Sequence, residues 1–80
     1  MRDVMVQPIR VATGEDEEGM LLLLDDLLVA VLVRLSSQHG DMAGRWFLEA
    51  SFGRGLQVTH PVFEDLEAAK LWAIRQAGRQ

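Results

Sequence analysis

A chain of 80 residues that is 49% apolar and has no cysteine makes one small domain, spanning 1–80, held together by apolar burial rather than by disulfides or a thiolate metal site. Twelve acidic residues against eight basic ones give a net charge of −4, and the basic residues are scattered. Duplex binding needs a basic face, so neither nucleic acid nor an anionic membrane is expected as a partner. The N-terminal stretch MRDVMVQPIRVATGEDEE lacks the charged-then-apolar order of a secretory signal. Without cysteine, the expected location is the cytoplasm.

In chain order, DVMVQPIRVAT comes first, with Val4, Val6, Ile9 and Val11 around Pro8. Proline cannot donate to a central ladder, so this segment is predicted as an edge strand or a broken one. The following GEDEEG is predicted as a solvated acidic loop.

From Met20 to Leu35 every residue is apolar except Asp25, Asp26 and Arg34. A membrane helix would put both aspartates deep in hydrocarbon, at roughly +2.5 to +3.5 kcal/mol each. A soluble helix would be apolar nearly all round and need burial on every side, which a domain this small cannot supply. A hairpin accounts for the acids directly. With Asp25 and Asp26 as the central turn residues, the flanks become strands at Gly19–Leu24 and Leu27–Ser36.

SQHGDMAG reads as a loop, and RWFLEASF as a strand with Trp46, Leu48, Ala50 and Phe52 on one side and Phe47, Glu49 and Ser51 on the other. GRGLQVTHPVF is a glycine-punctuated connection with room for a short extended piece at its end. The last element, LEAAKLWAIRQA, is a helix. Asp65 is its predicted N-cap, Glu67 lies in the first turn, Arg75 in the last, and Gly78 where a left-handed residue closes a helix. Leu66, Ala69, Ala73, Ile74 and Ala77 share one side. The helix entry FEDLEAAKLW resembles that of small bacterial strand-plus-helix domains, the HicB-like antitoxins among them. That resemblance implies an antitoxin-like regulatory role as one alternative and carries no site residue with it.

The predicted architecture is therefore α+β: a four-stranded antiparallel meander with one C-terminal helix packed on one face, in the order β-β-β-β-α. Strict alternation places Leu27, Val29, Val31, Val33 and Leu35 on one face of the second hairpin strand, and Leu28, Ala30, Leu32, Arg34 and Ser36 on the other. Both faces are mostly apolar, whereas a sheet face that meets water normally carries polar residues. One helix covers one face. The expected interaction surface is thus Leu21, Leu23, Leu28, Ala30 and Leu32, covered first by a second copy, next by an unknown protein, or else by loops such as Gly53–His60. Replacing Leu32 by glutamate is expected to leave the chain monomeric or unfolded.

Side chains that could carry chemistry each have a simpler role. His39 and His60 show no zinc-ligand spacing and read as loop residues. The EDEE run lacks the alternating ligands of a calcium loop. Arg45, Trp46 and Phe47 do not match an RNA-binding strand, and the GRG at Gly53–Gly55 does not lead from a strand into a helix as a phosphate loop must. No catalytic residue, cofactor or metal is assigned. The expected function is a non-catalytic interaction or regulatory module, with a small-molecule pocket between helix and sheet near Trp46 and Trp72 as the alternative.

Overall fold

A computed structural model describes residues 3–13, 17–52 and 61–77. The elements are β1 (Val4–Arg10), β2 (Glu18–Leu24), β3 (Leu27–Arg34), a 3₁₀ segment (Ser37–Met42), β4 (Trp46–Ser51), β5 (Val62–Phe63) and α1 (Leu66–Ala77). The strands form one antiparallel sheet in the order β1-β2-β3-β4-β5, with α1 packed on one face. The fold is α+β as expected, with a fifth strand of two residues where the sequence allowed a short extended piece. GRG at Gly53–Gly55, His60, Gly78 and the acidic residues Glu15 and Asp16 lie outside the described residues.

The leucine-rich stretch is the β2–β3 hairpin. Asp25 and Asp26 sit at its tip with φ of 55° and 65°. A two-residue type I′ turn needs positive φ at both central positions, and aspartate tolerates that conformation better than most side chains. Leu24 pairs with Leu27 directly across the turn.

Two bulges interrupt the ladders, and they change which residues share a face. Leu22 pairs with Ala30 but Leu23 with Leu28, so Val29 is an extra residue in β3. Val31 pairs with Ala50 but Leu32 with Leu48, so Glu49 is an extra residue in β4. Residues opposite one another project to the same face, and one inserted residue reverses the parity of everything beyond it. The strict alternation expected from sequence is corrected accordingly. Leu28 belongs with Leu23 and Val31, not with Ala30 and Leu32. Ala50 parts from Trp46 and Leu48 and joins Phe47.

The helix-side face is the core. Leu22, Leu32 and Leu48 are its largest fully buried side chains, with Ala30 and Trp46 beside them. Ala69 and Ala73 of α1 descend onto this layer, and their small side chains let the helix approach closely. Val4, Met20, Phe63, Leu66 and Trp72 close its edges, with the Phe63 and Trp72 rings 5.6 Å apart and tilted by 54°. The helix starts as predicted. Asp65 Oδ1 accepts a hydrogen bond from the Ala68 amide at 2.9 Å, meeting one of the free donors of the first turn. Glu67 in that turn pairs with Lys70 at 3.3 Å. Of the predicted buried side, Ala69 and Ala73 are buried and Leu66 and Ile74 half-buried; the Ala77 side chain lies outside the described ones.

Gly19 has a steric reason to be glycine. A Cβ there would stand 2.6 Å from Val11 Cγ2 and 3.1 Å from the Leu32 carbonyl oxygen. The chain leaving β1 therefore lies directly on β2, tied by the Val11 amide donating to the Glu17 carbonyl at 2.9 Å.

Candidate functional site

The face of the sheet away from α1 is built from the residues that the ladder places opposite Leu21 and Leu23. In β1, Met5 pairs with Leu23, Gln7 with Leu21 and Ile9 with Gly19. In β3, Leu28 pairs with Leu23, Val31 with Leu21 and Val33 with Gly19. Phe47 and Ala50 of β4 continue the layer opposite Val33 and Val31, and Val62 of β5 follows opposite Phe47. Gln7 is the single polar side chain among these strand positions.

This face has two unlike ends. Near the β3–β4 connection the chain covers it itself. The 3₁₀ segment turns at Gly40 (φ 58°, ψ −121°), a conformation open to glycine and strained for other residues. Two backbone bonds fasten the connection, Gly44 N–H to the Leu35 carbonyl and Leu35 N–H to the Arg45 carbonyl, both 2.8 Å. Val33 and Leu35 are consequently only 2% and 8% exposed. A groove of about 390 Å³ remains at this end, lined by Thr13, Val33, Leu35, His39, Met42, Phe47, Glu49 and Val62.

Toward the Asp25–Asp26 tip, the face is open. Met5 is 64% exposed and Leu28 38%, with Leu21, Leu23 and Val31 half-buried beside them; Ile9, 39% exposed, lies on the β1 edge at the level of Gly19 and Val33. The described ion pairs lie elsewhere. Arg10 pairs with Glu17, and Arg34 with Glu18 at 3.4 Å, both exposed. Exposed pairs of this kind contribute at most about 1 kcal/mol each.

The residues expected to form an interaction surface divide cleanly. Leu21, Leu23 and Leu28 come together on the open face. Ala30 and Leu32 are 0% exposed beneath α1, so their expected place on that surface is corrected. The cause is the Val29 bulge. Met5, Ile9 and Val31 take their places, and strict period-two counting could not find them. Met5 and Ile9 become recognisable only once β1 is paired with β2.

Comparisons with protein-family models, with curated proteins and with solved structures found no match.

The other singled-out residues occupy separate places. Asp25 and Asp26 form the hairpin tip, and His39 lines the groove from the 3₁₀ segment. Trp46 and Trp72 are packing residues of the helix-side layer, whereas the groove opens on the opposite face from the pocket expected beside them. Among the described residues, no group of three or more His, Cys, Asp or Glu is placed to hold a metal ion. Likewise, no described helix is long and apolar enough to cross a membrane.

Proposed function

We propose that this chain is a non-catalytic association module of the cytoplasm that dimerises through the open end of its sheet. The observation that carries the reading is the continuous apolar strip of Met5, Leu21, Leu23, Leu28 and Val31, exposed or half-exposed on a face that α1 leaves bare. Burying one such side chain completely stabilises by roughly 1.5–3 kcal/mol. Covering several of them gains as much as the whole stability of a domain this small, about 5 kcal/mol.

A second copy is the occupant that the strip fits. No charged strand side chain stands among its residues, so contact of the face with itself desolvates no strand charge. A flat sheet face can meet its own image about a two-fold axis, as sheets do in sandwiches about 10 Å apart. The open end, roughly half of the face of the four long strands, makes a footprint on the order of 250 Å², judged from strand spacing and rise. Stable interfaces take about 800 Å² from each partner, and transient ones less than about 600 Å². The proposed contact therefore falls in the transient size class.

Sedimentation over a range of concentration tests this. The 9.0 kDa chain is expected to pass from monomer to a species of twice that mass across the micromolar range. A monomer at every concentration up to the millimolar would remove the reading.

A further inference from the structure

The groove at the covered end of the sheet has a composition that the association reading does not use. Val33 and Leu35, both nearly inaccessible to water, line it together with Phe47, Met42 and Val62. Its volume of about 390 Å³ lies within the ~300–1,000 Å³ range of small-molecule sites. Glu49 stands at its rim, and it is the extra residue of the β4 bulge, the kind of position at which a strand re-aims a side chain. It is exposed, and among the described residues its carboxylate has no hydrogen-bond or ion-pair partner, unlike Glu17, Glu18 and Glu67.

We propose that this groove binds a small amphipathic organic cation, an alkyl- or arylalkyl-ammonium, with its apolar body on Val33, Phe47 and Val62 and its ammonium group at Glu49. The charges select the class. Among the described residues, Glu49 is the one acidic group of the lining, and no lysine or arginine lines the groove. Thr13 and His39 lie on the polar side, within the same lining. The site is at the opposite end of the face from Leu23 and Leu28, so it stands or falls independently of dimerisation.

Amide-resolved NMR titration of the full chain with 2-phenylethylamine, 2-phenylethanol and 3-phenylpropionate tests it. The amine is expected to shift the Val33, Met42 and Phe47 amides saturably and to bind about tenfold more tightly than the alcohol, as a charge-assisted contact requires. Glu49→Gln should erase that tenfold advantage while leaving the alcohol's affinity unchanged. Absence of saturable shifts, equal affinity for amine and alcohol, preference for the carboxylate, or an advantage that survives Glu49→Gln would each overturn the assignment.

Discussion

Replacing Leu32 by alanine is expected to cost about 2–5 kcal/mol, because the substitution removes a fully buried side chain from a layer that cannot collapse around the gap. Leu32 is 0% exposed, between Met20 and Leu48 in the sheet, in one buried cluster with Leu22 and with Ala69 and Ala73 of α1. A domain of this size holds about 5 kcal/mol in all, so the variant is expected to sit near its unfolding midpoint at room temperature. Leu32→Glu leaves an unpaired charge in the same place and abolishes folding altogether. Leu71 is the control. It lies on the same molecule but is 56% exposed on α1, and Leu71→Ala should stay within about 0.5 kcal/mol of the parent. Denaturant titration followed by circular dichroism reads all three. Equal midpoints for Leu32→Ala and the parent would mean that the helix-side layer is not the core.

The second large effect belongs to the opposite face. Leu28→Glu is expected to convert the proposed dimer to monomer at concentrations where the parent associates, while the fold stays intact. Leu28 is 38% exposed in the single chain, so a glutamate there keeps water around its carboxylate in the folded monomer and costs the fold little. In the dimer, the two-fold axis would bring two copies of the charge into an apolar contact, where each loses its water without gaining a partner. The expected weakening is at least a hundredfold, about 2.7 kcal/mol. Sedimentation gives the mass, and an unchanged circular dichroism spectrum separates dissociation from unfolding. The same substitution at Leu32 could not distinguish the two.

That contrast between neighbours in one strand shows how far the sequence could be read. The hairpin was legible because the acids Asp25 and Asp26 interrupt an otherwise apolar run, and a positive-φ turn is the conformation in which adjacent aspartates are least out of place. The helix was legible through its cap, since Asp65 and the alanines at Ala69 and Ala73 mark one entry and one close-packing side. The bulges were not. In LLVAVLVRL every residue around Val29 is apolar, so no polar side chain reports the point at which inward and outward exchange. Glu49 carried a faint signal, as a charge in the middle of a strand with tryptophan and phenylalanine before it. Period-two counting absorbed it as an outward residue. The result was a correct sheet with part of its surface assigned to the wrong side. Leu21, Leu23 and Leu28 survive as surface residues because they lie together on the hairpin-tip side of the Val29 bulge or on β2. Ala30 and Leu32 lie beyond the bulge and belong to the core.

The groove was invisible in sequence for a related reason. Its lining is gathered from the loop after β1, from β3, the 3₁₀ segment, β4 and β5, and no two of these are tied together by a local motif. SQHGDMAG showed only turn formers. That His39 and Met42 of this stretch share a groove with Val33 and Leu35 is a tertiary feature, with the positive φ of Gly40 and Gly44 and the backbone bonds at Leu35 shaping the connection.

The claim on which the account rests is that copies of this chain meet through the hairpin end of the bare sheet face. An isotope-filtered NOE experiment on a mixture of ¹³C-methyl-labelled and unlabelled chain addresses it without perturbing a residue. Intermolecular contacts are expected at the methyl groups of Met5, Leu21, Leu23, Leu28 and Val31. Intermolecular contacts confined to Leu71 and the rest of α1, or none at a concentration where the mass has doubled, would contradict it.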